Sequence, residues 1–216
     1  MNTFYEKLIR LIYPKRCIFC RKEISGGSKI SVCIDCLMEL ASETGYVRYL
    51  NDGRKCIYAL RYSAKGVSSA VKRFKFNNLP QYAETLGELM YLALKDNADG
   101  DIISYVPISP LRKIKRGYDQ SRLLAEYVSK RMNIPMVPTL QKIRHNRKQS
   151  TLDEFEKIDN VKGVYRIKSK NIHGKRIILI DDVVTTGSTI TECGRVLNEA
   201  GAGSIIYAAA ASASKR

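Results

Sequence analysis

The sequence predicts an α/β protein: a parallel sheet with helices on both faces, preceded by a small four-cysteine module. Three observations carry this. Residues 177–180 (IILI) form an unbroken apolar, mostly β-branched run, followed by a turn of small residues and then a helical pattern. A strand buried on both faces of a parallel sheet reads this way. Strand and helix patterns then alternate along most of the chain, the order of a sheet covered on both sides. Finally, Cys17-x2-Cys20 and Cys33-x2-Cys36 are separated by twelve residues. Each CxxC turn can set two thiolates on one side of a metal, and two such turns complete a tetrahedral Zn²⁺ site.

At 216 residues and 44% hydrophobic content, the chain has room for one ordinary α/β domain and something small. Its expected division is a finger module with an N-terminal helix over residues 1–45 and the α/β domain over residues 46–216. No apolar run approaches the roughly 20 residues of a membrane span. The amphipathic first 13 residues lack the unbroken apolar core of a signal peptide. They read as a short packing helix, with membrane-surface attachment as the alternative. The expected location is the cytoplasm, where reducing conditions favour metal-bound thiolates over disulfides at the CxxC pairs.

The net charge is +16, which favours anionic partners. It is unevenly spread. Residues 1–75 hold 15 Lys/Arg against 6 Asp/Glu, and residues 112–148 hold 11 against 2, so each segment carries +9. Nucleic acid and a solvated basic surface both fit this pattern.

Residues 37–55 read as a helix and a polar connector with an Asp52-Gly53 turn. Residues 57–62 alternate as a strand. Residues 64–76 form a helix with Val67, Ala70, Val71 and Phe74 at helical spacing. Its RFKFNN end interleaves basic and aromatic residues, which suits phosphate or nucleic-acid contact as well as an amphipathic helix end. A helix over 80–95 follows, then a strand over 102–108. Next comes a basic loop carrying Arg112, Lys113, Lys115 and Arg116, then a helix through Met132. A strand, a basic Gly-containing loop and a helix suit an anion site at the C-terminal edge of a sheet.

Residues 135–140 read as a strand. Residues 141–162 are long and polar, which suits a mobile lid. A strand over 163–167 leads to the opening apolar run. The last helix, from near Ser188 to Glu199, ends at Gly201-Ala202-Gly203, and a strand over 204–209 completes the sheet. Cys193 reads as a small core residue. His145 and His173 fall in loops and show no metal or triad pattern.

The chemistry concentrates after residue 180. Asp181 and Asp182 follow the apolar strand, and Thr185-Thr186-Gly187-Ser188-Thr189 leads into the helix. A small-residue turn at a helix N-terminus offers backbone N–H groups and the positive end of a dipole to a phosphate. A carboxylate pair beside that cradle would repel a bare anion. A phosphorylated sugar resolves the conflict, with its phosphate in the turn and its hydroxyls on the carboxylates. The turn is neither a Walker A loop nor a GxGxxG loop.

The strand, acidic pair and TTGST turn resemble the phosphoribosyl-pyrophosphate (PRPP) motif of type I phosphoribosyltransferases. With the cysteine knuckles, VKRFKF, RGYDQ, KQS, NVKG and IILIDDVVTTGST, the chain resembles the ComF family of competence-associated, phosphoribosyltransferase-like proteins over nearly its whole length. Tyr118 and Asp119 stand where the family pattern usually has Phe and Asn.

The resemblance implies a type I phosphoribosyltransferase-like, Rossmann-like sheet with an N-terminal four-cysteine zinc finger. It implies that Asp181 and Asp182 hold the ribose hydroxyls and that Thr185, Thr186, Gly187, Ser188 and Thr189 bind the 5′-phosphate. Pro107, Arg116, Arg144 and Gln149 would lie on the pyrophosphate side, with Mg²⁺ accompanying PRPP and Zn²⁺ held by Cys17, Cys20, Cys33 and Cys36. Three functions compete: a DNA-uptake protein that binds PRPP, or a related phosphorylated ribose, and single-stranded DNA; a transferase moving ribose 5-phosphate to a nitrogen base; and a PRPP-responsive scaffold whose finger docks a helicase-like competence ATPase.

Overall fold

The computed structural model describes residues 14–24, 30–41, 45–144, 161–169 and 171–213. The expected N-terminal helix and most of the lid with His145 and Gln149 lie outside the described residues.

The described elements begin with helix α1 (Ile34–Ala41). Strands β1 (Tyr46–Tyr49) and β2 (Lys55–Arg61) follow, then helices α2 (Val67–Phe76) and α3 (Tyr82–Leu94). Strand β3 (Ile102–Tyr105) leads to helices α4 (Pro110–Arg116) and α5 (Gln120–Met132). Strands β4 (Leu140–Lys142) and β5 (Tyr165–Ile167) precede β6 (Arg176–Val184), α6 (Ser188–Glu199) and β7 (Ser204–Ser212).

The main sheet has the order β1-β2-β7-β6-β3. All its pairings are parallel except the β1–β2 edge, which is antiparallel. β4 and β5 form a separate antiparallel pair in which Lys142 lies opposite Tyr165.

β6 lies inside the sheet, between β7 and β3, and both of its faces are apolar. Ile178 and Ile180 join one core with α2, α3 and α5. Ile177, Leu179 and Val184 join the other core, beneath α6. The period-2 alternation therefore buries every residue of the run, which explains why it reads as continuous apolar sequence. Gly194 of α6 permits close packing on β7: a Cβ there would lie 1.9 Å from the Tyr207 hydroxyl, which donates to Asp52 Oδ2 at 2.6 Å. No helix among the described residues is long and apolar enough to cross a membrane.

Several expectations change. β6 runs on to Val184, so the acidic pair lies within the strand rather than after it. The expected basic loop is helix α4, capped by Ser109, whose Oγ accepts from Arg112 N at 3.4 Å, with Pro110 in its first turn and left-handed Gly117 at its end. The connector expected within residues 37–55 contains β1. Residues 135–140 do not form a strand: a single parallel bridge joins Met136 to Ile103, and pairing resumes only at Leu140.

The finger shares the main core. Ile18, Phe19, Val32 and Leu40 belong to the same buried cluster as α2, α3 and α5.

Candidate functional site at the C-terminal sheet edge

Asp181 and Asp182 are each 9% exposed. Consecutive strand residues face opposite ways, so the two carboxylates meet different neighbours. Asp181 Oδ1 accepts from Ser121 Oγ of α5 at 3.0 Å and from Asp182 N at 2.8 Å. Asp182 Oδ1 lies 3.0 Å from Lys75 Nζ at the end of α2. Burial, followed by the charge of Asp182, raises the Asp181 carboxyl to about 7 against the opposing pull of Lys75 and the two hydrogen bonds.

The chain then turns through Thr185–Gly187 into α6. The N-cap is Gly187 at φ 90°, which has no side chain to cap the helix, and Thr186 Oγ1 accepts from Ser188 N at 3.4 Å. That arrangement leaves the first turn suited to an anion. Thr186 Oγ1 lies 3.1 Å from Ser188 Oγ. Asp181, Thr185, Gly187, Ser188 and Thr189 line one small hollow of about 10 Å³. The acidic residue and the hydroxyl turn therefore share one surface.

β1 supports the turn from outside. Arg48 Nη2 donates to Thr185 O at 3.0 Å, and a Cβ on Gly187 would lie 3.0 Å from Leu50 Cδ1.

On the other flank, VKRFKF and RGYDQ interlock. The Tyr118 hydroxyl donates to Phe74 O and accepts from Leu79 N at 3.1 Å. A Cβ on Gly117 would meet Asn78 Oδ1 at 3.1 Å. Arg116 donates to Gln120 Oε1 at 2.9 Å, and its guanidinium lies 5.0 Å from the Phe76 ring centroid. Asp119 caps α5, with Oδ1 accepting from Arg122 N at 3.2 Å and Oδ2 from Ile108 N at 3.1 Å. It thereby ties the loop after β3, with buried Pro107, to the helix. Arg144 is exposed just beyond β4.

Sequence reasoning assigns no site role to Ser121, Arg48, Lys142 or Tyr165, and includes Lys75 only within VKRFKF. Lys142 Nζ donates to Tyr165 OH at 3.2 Å. Burial, then the charge of Arg112, lowers Lys142 to about 8. A larger cleft of about 780 Å³ runs from Thr186 and Ser188 along α6 to Glu199. Arg54 and Arg195 in that cleft are already paired with Asp52 at 2.7 Å and Glu192 at 2.8 Å, so their charge is compensated.

The sulfurs of Cys17, Cys20, Cys33 and Cys36 all lie within 4.8 Å of one another, with Cys20 and Cys33 3.5 Å apart. Burial alone would raise Cys17, yet hydrogen bonds from the backbone N–H groups of Cys20, Cys33 and Phe19 outweigh it and bring the thiol to about 7. A compact four-sulfur cluster with amides directed at its most buried thiol suits a metal such as zinc.

A family model described as a phosphoribosyl transferase domain matches residues 119–216. Competence protein F of Haemophilus influenzae is 29% identical over 194 residues, covering 86% of this chain and 85% of that one. Competence protein ComFC of Bacillus subtilis is 33% identical over 96 residues, covering 44% of this chain and 38% of that protein. These matches support a ComF-family, type I phosphoribosyltransferase-like protein. Among solved structures, the glutamine PRPP amidotransferase from B. subtilis aligns with this chain at 17% identity and a TM-score of 0.44, covering 65% of this chain and 30% of that one. The family match begins at Asp119, so the finger and α2 lie outside it.

Proposed function

We propose that this ComF-family protein binds PRPP, or a related phosphorylated ribose, at the C-terminal edge of β6 and acts in DNA uptake. One observation carries the reading: a buried carboxylate and a hydroxyl-rich, glycine-capped turn at a helix N-terminus share one hollow. Thr185, Thr186, Gly187, Ser188 and Thr189 receive the 5′-phosphate. Asp181 and Asp182 accept hydrogen bonds from the ribose hydroxyls. Pro107 and Arg116, with Arg144 and Gln149 on the segment that follows β4, serve the pyrophosphate side. The phosphate and hydroxyl oxygens of such a ligand are hard donors that suit Mg²⁺, which would be held chiefly by them and would offset pyrophosphate charge when bound.

The four cysteines hold structural Zn²⁺ in a module over residues 1–45, and residues 46–216 form the ligand domain. A four-thiolate site requires reducing surroundings, which supports a cytoplasmic location. The relatives' competence names support the DNA-uptake role. The +9 segments support single-stranded DNA as a further partner, and the finger offers a surface for a helicase-like ATPase.

The Lys142–Tyr165 pair near Arg112 favours a second reading, a working transferase. There, the ribose C1–O bond to pyrophosphate breaks as a C1–N bond to a nitrogen base forms, and the base's proton passes to solvent. The carboxylates face the positive charge developing at C1, and the cations face the leaving group. Pyrophosphate release assayed with PRPP, Mg²⁺ and a panel of bases separates the two. Release above the no-base control supports transfer. Tight binding without release supports the uptake protein or the PRPP-responsive scaffold.

A further inference from the structure

The family match does not cover the finger or α2, yet α2 ends on the carboxylate pair. Its apolar face (Val67, Ala70, Val71, Phe74) is fully buried in the core that also holds Ile18 and Phe19 of the first knuckle. The finger grips this helix at both ends. At its start, Gly66 has φ 77° and lies so close to the knuckle that a Cβ would sit 2.8 Å from Phe19 O. Near its end, Arg73 Nη2 donates to Ile18 O at 2.5 Å. Two residues further on, Lys75 places Nζ 3.0 Å from Asp182 Oδ1, with both side chains largely buried. Tyr118, from the loop before α5, adds a further tie by donating to Phe74 O.

We propose that Lys75 is the positioning residue of the acidic pair, and that the four-cysteine finger sets it by clamping α2 as a strut. Two adjacent carboxylates on one buried strand end repel each other, and the partner found for Asp182 is an ammonium from another element. A lysine is a compact charge on a flexible stem, so its position depends on where the helix end is held. Sliding or fraying of the last turn of α2 would withdraw the cation and leave Asp182 partly buried without it. Asp182 would then reorient, and ribose hydroxyls would lose an acceptor. Loosening the knuckle that carries Ile18 and Phe19 is therefore expected to weaken the ligand site from a distance.

The inference rests on the PRPP reading, so its test has two arms. The first is calorimetry of full-length protein with PRPP and Mg²⁺. Lys75→Met should weaken binding at least tenfold, and Lys75→Arg should restore most of it. Arg73→Met, which cuts the tie to Ile18 without touching the carboxylates, should weaken binding severalfold while zinc content stays at one per chain. Unchanged binding by Lys75→Met would overturn the inference and leave the PRPP reading intact. Absence of binding by the wild type would overturn the PRPP reading instead.

The second arm needs no ligand. Lys75→Met, Asp182→Asn and the double variant are compared by urea denaturation at pH 8. The strut predicts that Lys75→Met lowers the midpoint and that much of the loss disappears in the Asp182→Asn background. Additive effects would contradict it whatever the ligand proves to be.

Discussion

Burial pushes the Asp181 carboxyl up to about 7, while the proposed ligand needs that group ionised. An acid whose folded pKa exceeds its unfolded value, near 3.9, holds its proton more tightly when folded. Its contribution to stability is therefore greatest at low pH. It declines as pH rises from about 4 to about 7, then levels off. Asp181→Asn removes that decline and should stabilise the free protein at pH 8 by on the order of 1–2 kcal/mol relative to its effect at pH 5, as measured by urea denaturation at both values. The same substitution should abolish tight PRPP binding. Equal effects on stability at both pH values would show that Asp181 ionises without cost.

Asp119 matters through its two separate oxygens. It stands where the family pattern usually has Asn, and each oxygen accepts a different backbone N–H group, from Arg122 and Ile108. An amide has one acceptor oxygen, so it would turn its NH₂ towards one of those donors. Asp119→Asn should cost about 1–2 kcal/mol, read as a lower denaturation midpoint with an unchanged slope. No loss would mean that the second bond contributes nothing.

Among the elements, the segment from β6 to α6 is legible in the sequence because its signals are local. An apolar run, a small-residue turn and a helix period sit next to one another. Helix α4 reads as loop because four of its seven residues are basic. Its boundary signals are nevertheless present, with Ser109-Pro110 at the start and Gly117 at the end. β1 escapes recognition because a four-residue strand at an antiparallel edge needs little apolar character. Lys75, Ser121 and Arg48 draw no site role of their own because they act through contacts 60 to 137 residues away in sequence, save that Lys75 belongs to a family motif. Such contacts leave no periodicity to read. The cysteine spacing is again a local signal, and the finger's share in the main core cannot be read from it.

For the whole molecule, the shared core would make a metal held by the four cysteines a structural matter for the α/β domain as well. Ile18, Phe19, Val32 and Leu40 pack in the same cluster as α3 and α5. Stripping zinc with a strong chelator should lower the unfolding temperature of the entire chain in one cooperative transition. A second, unchanged transition would indicate a finger that folds apart from the sheet.

The charge distribution makes a separate prediction. If the basic segments carry single-stranded DNA, log affinity should fall linearly with log salt, by about 0.7 per phosphate contacted, giving a slope steeper than about −2 in filter-binding or anisotropy titrations. A flat response would exclude the DNA partner and leave the PRPP site untouched.

The most direct measurement of the central claim is calorimetric titration of the wild type and of Asp181→Asn/Asp182→Asn with PRPP in the presence of Mg²⁺. The account predicts saturable one-to-one binding by the wild type and at least a hundredfold loss in the double variant, with both proteins folded and carrying equal zinc. A wild type that takes up no PRPP, or a double variant that binds it equally well, would contradict the assignment of the β6 edge as the ribose-phosphate site.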